Sequence, residues 1–203
     1  MNVIETNFKN LVNSPSDINE HLQTLANYAS KCESVFETGV RGCISSWAFT
    51  HGLLNNQSSK KILFMNDIDK CNITKLLNET KNLPIQINYE WKNNLDLVFT
   101  ETFDLTFIDT WHVYGQLKRE LHKFAPITNK YIIMHDTTVD EWKGETIRMG
   151  MNANEQSMQS GFSLDEIYKG LWPAVQEFLD SNSDWVLHER FTHNNGLTIL
   201  RRL

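Results

Sequence analysis

The chain has 203 residues, 40% apolar and 22% charged, with a net charge of −6. That length suits one domain with a sizeable core, and the negative balance excludes a nucleic-acid backbone as its main partner. No apolar run approaches the length of a membrane span, and the opening Met-Asn-Val-Ile-Glu-Thr-Asn lacks the basic region and apolar core of a secretory leader.

Residues 1–13 are a short amphipathic segment, read as an accessory helix or a mobile terminus. Ser14-Pro15-Ser16-Asp17 carries a helix-start signal: a capping serine, proline at the first helical position and an acid in the first turn. Ile18, Leu22, Leu25 and Ala29 recur behind it at helical spacing, so residues 1–30 are expected to be a helical cap over the sheet edge or the site. Residues 34–47 (Ser-Val-Phe-Glu-Thr-Gly-Val-Arg-Gly-Cys-Ile-Ser-Ser-Trp) read as a buried strand, a glycine turn and the start of a helix. Gly39 and Gly42 suit positive φ or the close approach of a ligand, and Ile44, Trp47, Ala48 and His51 fall on one helical stripe. Such a unit offers free backbone N–H groups to a ligand. It also opens a mostly parallel α/β sheet whose ligands sit outside the carboxyl ends of the strands. A tight turn in any α/β protein reads the same way.

Residues 61–65 form a second buried strand ending in Asn66-Asp67-Ile68-Asp69. An acid at this point is the expected partner of ribose hydroxyls; Asp67 directly follows the strand, with Asp69 as the second choice, and a helix cap is the plainer role. A short helix and a third strand (84–91) follow. Residues 103–108 are a fourth strand, tipped by Asp109, Thr110, Trp111 and His112. The next helix has Leu117, Leu121 and Phe124 on one stripe, Glu120 on the other face, and Pro126 as its stop. The fifth strand, 131–134, ends in His135-Asp136-Thr137-Thr138. Two successive strands thus deliver two acids and two histidines to the rim that carries the glycine turn, a collection that a core does not need.

Residues 141–162 are polar and methionine-rich, the composition of a lid or binding loop; Trp142 suits stacking on a sugar face and Arg148 a phosphate or hydroxyl. Ser163-Leu164-Asp165-Glu166 is a capping box for a helix that Gly170 and Pro173 split or kink. Residues 185–200 read as a hairpin turned at Asn195-Gly196. The odd count of three cysteines, without zinc-like spacing, favours buried thiols in a reducing compartment.

The run Glu37-Thr38-Gly39-Val40-Arg41-Gly42 resembles the first motif of class I S-adenosylmethionine (SAM) methyltransferases, departing from the commoner form in Arg41 and in having no third glycine. Asp-Leu-Thr-Phe-Ile-Asp-Thr-Trp-His-Val-Tyr (104–114) and Tyr-Ile-Ile-Met-His-Asp-Thr (131–137) resemble a small methyltransferase family patterned Ile-Asp-Gly-x-His-x-Tyr and Ile-x-His-Asp-Thr. Some of its members O-methylate sugars. More distantly the pair is similar to metal-dependent catechol-type O-methyltransferases. The resemblance covers about residues 30–140 and the final hairpin. It implies an α/β, Rossmann-like, seven-stranded, mostly parallel sheet with an antiparallel C-terminal hairpin strand and helices on both faces. It implies a SAM-dependent O-methyltransferase acting on a small acceptor, a sugar hydroxyl of a glycan by analogy.

The implied cofactor contacts are Glu37, Thr38, Gly39, Gly42 and Ser45 at the methionine part, Asp67 at the ribose, Trp91 and Asn93 at the adenine, and Asp109. A packed aromatic is an equal role for Trp91. The implied ligands of Mg²⁺ or Mn²⁺ are Asp109 and Asp136, with Thr137 where the family has an amide and His135 able to fill in. His112 stands where those enzymes have a lysine base; it serves as base or orients Asp109. Trp111, Tyr114, Trp142 and Arg148 are the implied acceptor contacts. Similar domains occur fused to glycosyltransferases, including in large viruses, so a glycosyltransferase partner and a cytoplasmic site, the host's for a viral chain, are implied too.

These residue types suit the chemistry. Methyl transfer is largely positioning, a sugar hydroxyl needs a base or a metal to become nucleophilic, and histidine titrates near neutrality. A nicotinamide-dependent oxidoreductase of related topology is the first alternative, opposed by Glu37 and the closing hairpin. A methyltransferase-like binding domain without activity is the second. A non-haem iron site is set aside because His135 and Asp136 are adjacent, and adjacent side chains diverge on an extended strand.

Overall fold

The computed structural model describes residues 3–203. Among them, seven strands form one sheet: β1 (Ser34–Thr38), β2 (Ile62–Asp67), β3 (Gln86–Trp91), β4 (Phe103–Ile108), β5 (Thr128–His135), β6 (Trp185–Phe191) and β7 (Leu197–Arg202), in the order β3-β2-β1-β4-β5-β7-β6. Neighbours from β3 through β5 pair parallel, and β7 pairs antiparallel with both β5 and β6. This is the expected Rossmann-like sheet with its antiparallel closing hairpin.

The inner strands are buried on both faces, so they read as apolar runs whose alternate residues serve two cores, while the edge strands β3 and β6 are largely exposed or half-buried. Val35, Leu105, Ile133 and Ile199 join one core with Ile4 and Phe8 of α1 (Val3–Val12), Leu25 and Ala29 of α2 (Leu22–Ala29), and Phe49 and Leu53 of α3 (Ile44–Asn55). Phe36, Ile132 and Leu200 join the other with Leu117, Leu121 and Phe124 of α5 (Tyr114–Phe124), and with Val175 and Phe178 of α9 (Trp172–Ser181). The remaining α-helices, in chain order, are α4 (Thr74–Thr80), whose Leu76 joins the first core, α6 (Glu145–Arg148), α7 (Ala153–Ser160) and α8 (Leu164–Tyr168). The capping box at Ser163 forms, with Glu166 closing it, and Gly170 falls in the break between α8 and α9. No described helix is long and apolar enough to cross a membrane.

Three local expectations are corrected. The helix signalled at Ser14 begins later, as a 3₁₀ turn at Asn19–His21 running into α2. The Ser14 hydroxyl donates back to the Asn10 carbonyl, while Asn19 accepts from the Ser16 amide and donates to the Val12 carbonyl. Such side-chain bonds offer the backbone an alternative to the helix. Helix α3 shows no single apolar stripe: Ser45, Ser46 and Thr50 are as buried as Trp47 and Phe49, because the helix lies between the sheet and α1 and α2. Finally, Cys32 and Cys43 are buried thiols, but Cys71 is partly exposed.

Candidate functional site

The carboxyl ends of β1, β2 and β4 open into a cleft of about 790 Å³, within the range of small-molecule sites. Gly39 sets its floor. Its φ is +91°, and a Cβ there would lie 1.8 Å from the Asp109 carbonyl oxygen, so only glycine lets the turn after β1 pass the tip of β4. The other left-handed residues of the turn are Arg41 (φ 41°) and Cys43 (φ 60°). Of the two roles expected for Gly42, positive φ is not found; an added Cβ there would meet only Ile44, at 4.0 Å, and the residue faces the cleft, where a ligand could approach it closely. Asp67 fastens the turn: its Oδ2 accepts from the Val40 and Arg41 amides at 2.8 and 2.9 Å, and its Oδ1 from Asp69 at 2.9 Å. Asp67 lines the cleft, as do Thr38, Gly39, Gly42, Ser45 and Asn93.

Beneath the cleft runs a buried polar chain. The Thr38 hydroxyl donates to Asn66 Oδ1 (2.9 Å) and accepts from Asn94 Nδ2 (3.0 Å), which also donates to Glu120 Oε1 (2.6 Å). Thr110 and Gln116 donate to that same oxygen. Glu120 therefore faces inward, not outward as expected; burial pushes its carboxyl up, against the three donors. The periodicity of α5 places it off the apolar stripe, and only the partners from 94 and 110 make its burial tolerable.

At the acceptor end four side chains converge. His112 Nε2 lies 3.4 Å from Asp109 Oδ1 and 3.2 Å from Asp136 Oδ2. His135 Nδ1 lies 3.4 and 3.2 Å from the same two oxygens. None of these contacts has hydrogen-bond geometry, and both ring nitrogens are buried without a hydrogen-bond partner. The far side of each ring is held: His112 Nδ1 is 3.1 Å from Asp140 Oδ2, and His135 Nε2 is 3.3 Å from the Asn194 carbonyl oxygen. Arg148 grips both oxygens of Asp140, at 2.6 and 2.8 Å. Burial alone would lower both imidazoles. Asp109, with Asp140 and Asp136, outweighs it at His112, which is held well above its ordinary value; Asp109 and Asp136 lift His135 to about 10. In return, against burial, the two imidazoles hold Asp109 well below the ordinary carboxylate range.

The expectation that His135 and Asp136 diverge is overturned. Asp136 sits at φ 57°, left-handed, so the strand's alternation ends at His135 and both side chains turn to one point. A non-glycine residue in this region is uncommon and concentrates at functional sites. The donor set fits a divalent ion: Asp109, His112 and Asp136 offer ligand atoms within 4.8 Å of one another, and His135 stands beside the two acids outside that group.

Several expected contacts fall elsewhere. Thr137 is fully buried and off the cleft wall, and its hydroxyl accepts from Thr198 at 2.8 Å. Arg148 serves Asp140 rather than an acceptor. Glu37 is fully buried under the turn, where Ser45 donates to it at 2.5 Å, and it does not line the cleft. Burial pushes its carboxyl up to about 8. Trp91 is 60% exposed, its indole N–H given to the Ile68 carbonyl, and it too lies off the cleft wall. Tyr114 bonds Glu177 and Trp142 is solvent-facing, both outside the cleft. Trp111 does line it, stacked on Phe162. The segment 141–162 contributes Glu145, Gln156, Gln159 and Ser160 to the wall, residues that no sequence motif distinguishes. Asp140 had a signal: it stands four residues after Asp136 and eight before Arg148.

No family model and no curated protein matches the chain. Solved structures do. The chain is similar to the N-methyltransferase NodS from Bradyrhizobium japonicum in complex with S-adenosyl-L-homocysteine, over 98% of each chain at 13% identity, with a TM-score of 0.56. It is similar to the O-methyltransferase TomG from Streptomyces achromogenes in complex with SAM (99% of this chain, 96% of that one, 11% identity, TM-score 0.55). A ribosomal protein L11 methylase from Lactobacillus delbrueckii subsp. bulgaricus aligns over 90% of this chain and 79% of its own at 12% identity, TM-score 0.52. At such identities the likeness establishes a methyltransferase-type fold and no acceptor.

Proposed function

We propose that the chain is a SAM-dependent methyltransferase acting on a hydroxyl of a small acceptor, with a sugar as the acceptor class. The observation that carries the reading is the cleft itself. On a fold shared with methyltransferases, it joins the Gly39 turn and Asp67 at one end to the Asp109–His112–His135–Asp136 cluster at the other. SAM would supply an electrophilic methyl group on a sulfonium, and a divalent ion at the acids would make a hydroxyl more acidic.

The chain's own residues do the rest. The Gly39 turn leaves room for the methionine part, and Asp67, which spends three of its roughly four lone-pair sites on the Val40, Arg41 and Asp69 amides, keeps about one, on Oδ1, for a ribose hydroxyl. Asp109 stands between the two ends and orients both. The acids around His112 favour its protonated form, which suits its other expected role of orienting Asp109; Glu145, on the cleft wall, takes the hydroxyl proton. A polyol acceptor is supported by the amides and hydroxyl of Gln116, Gln156, Gln159 and Ser160, which also line the cleft; such groups suit several hydroxyls at once. Residues 141–162 close this end and exclude water.

Calorimetric titration with S-adenosylhomocysteine, with NAD in a parallel run, tests the reading. Binding of the first alone is expected, followed by methyl transfer to sugar acceptors. Failure of folded protein to bind S-adenosylhomocysteine would remove the proposal.

A further inference from the structure

We infer that Arg41 receives the α-carboxylate at the amino-acid end of the cofactor, and that Asp17 is an internal stand-in for that carboxylate, displaced when the ligand binds. The identity of the ligand rests on the methyl-transfer reading. The resemblance assigns neither residue: Arg41 is a position at which the turn departs from its commoner form, and Asp17 belongs to the segment ahead of β1.

The first support is the backbone. Arg41 stands at φ 41°, in the left-handed region, where a side chain costs energy that glycine does not. Asp67 fixes the Arg41 and Val40 amides at 2.9 and 2.8 Å, so the turn holds this strain at the cleft wall. Non-glycine residues kept in such a conformation concentrate at ligand sites. The second support is charge. Six acidic residues line the cleft, against Arg41 and Lys70. Lys70 lies over the ring of Trp91, 5.9 Å from its centroid, and Trp91 is off the cleft wall. Arg41 is therefore the cation at the turn. The acids attract the sulfonium and ammonium groups of the ligand but repel its carboxylate, which needs a cation of its own.

The third support is the pair itself. Arg41 Nη2 donates to Asp17 Oδ2 at 2.5 Å, and both residues line the cleft. This bond uses one of the five N–H groups of the guanidinium. The Arg41 side chain is 77% exposed and that of Asp17 37%, so the pair is weak and open to exchange. A ligand carboxylate can instead meet the guanidinium fork with both its oxygens. The neighbours of Asp17 hold it in place without that bond. Ile18 is buried in the first core, the Ser16 amide donates to Asn19, and the Ser16 carbonyl accepts from Asn194.

Binding is then an exchange of one carboxylate for another on the same guanidinium. Asp17 lowers the apparent affinity of the ligand by the small factor that an exposed pair is worth, about 2–5-fold. A ligand without the carboxylate leaves the pair closed and is indifferent to it. Without ligand the closed pair ties the N-terminal cap to the turn.

The experiment is calorimetric titration of the whole chain with S-adenosylhomocysteine and with its analogue lacking the α-carboxylate. Arg41→Gln should weaken S-adenosylhomocysteine by about 10-fold and leave the analogue nearly unchanged. Arg41→Lys, which keeps the charge without the fork, should recover part of the loss. Asp17→Asn should tighten S-adenosylhomocysteine by about 2–5-fold and fail to tighten the analogue; in the Arg41→Gln protein it should have no effect. Equal losses for the two ligands in Arg41→Gln would mean a distorted turn and overturn the carboxylate role. Asp17→Asn that leaves S-adenosylhomocysteine affinity unchanged, weakens it, or tightens it without Arg41 would overturn the stand-in. S-adenosylhomocysteine binding indifferent to both residues would remove both roles and leave the methyl-transfer reading standing; folded wild type that binds neither ligand would remove that reading as well.

Discussion

Glu37→Gln should make the protein more stable at neutral pH, although it removes the acidic residue of the most recognisable motif in the chain. Glu37 has no exposed surface; Ser45 donates to its Oε1, and its Oε2 has no partner. Burial pushes the carboxyl from 4.5 to about 8. In the unfolded chain the group ionises near 4.5, while in the folded chain it stays protonated until about 8. Its stabilising contribution is therefore full below the unfolded value and is lost as pH rises towards the folded one. Each pH unit in that window is worth about 1.4 kcal/mol, so the loss by pH 8 is about 3–5 kcal/mol. Glutamine is near-isosteric with the protonated acid and keeps an acceptor for Ser45, but it has no proton to lose. Urea unfolding of both proteins at pH 5, 6, 7 and 8 isolates this residue, because every other group is common to the two. The variant should match wild type near pH 5 and exceed it by a margin that grows to about 3–5 kcal/mol at pH 8. Parallel stability curves would refute the reasoning, since they would mean that Glu37 is charged in the folded protein.

Gly39→Ala puts a methyl group 1.8 Å from the Asp109 carbonyl at a φ of +91°, so a loss of about 2–4 kcal/mol in stability is expected, read by thermal unfolding, with weakened S-adenosylhomocysteine binding. Asp67→Ala removes the acceptor of the Val40 and Arg41 amides as well as the proposed ribose contact; S-adenosylhomocysteine affinity should fall by about 10–100-fold, and unchanged affinity would cancel the ribose role. Thr137→Val deletes the bond to Thr198, which should cost about 1–2 kcal/mol in denaturant unfolding; unchanged stability would mean that the bond contributes nothing.

The sheet was legible because its evidence is periodic and local: buried apolar runs at β1, β2, β4 and β5, a glycine turn, and Asn-Gly at the closing hairpin. The rim was legible for the same reason, since an acid that follows a buried strand has one place to go. What was not legible depends on partners distant in sequence. Glu120 looked like a solvated face until Asn94 and Thr110 came to meet it. Arg148 looked free until Asp140, a turn after the rim, claimed it. Thr137 took its meaning from Thr198, 61 positions away. The His135–Asp136 pair failed differently: pattern assumes an extended backbone, and one left-handed residue undoes it. No periodicity signals a single φ.

Asn194 belongs to the hairpin turn between β6 and β7, yet it touches the beginning of the chain at Ser16 and Glu20, and its carbonyl fixes His135. The neighbouring Asn195 carbonyl accepts from Thr138 and Val139, and Gly196 packs so closely on Thr138 that an added Cβ would lie 2.3 Å from its hydroxyl. In a chain made from its amino end, the earlier elements appear and begin to fold first. β1 to β5 can pair, and Asp109 and Asp136 can draw near each other, before residue 194 exists. The second histidine acquires its orientation only when this late segment arrives. The cluster is thus completed last: a chain stopped before the last turn lacks β7, which joins β6 to β5, and with it the carbonyl that aims His135.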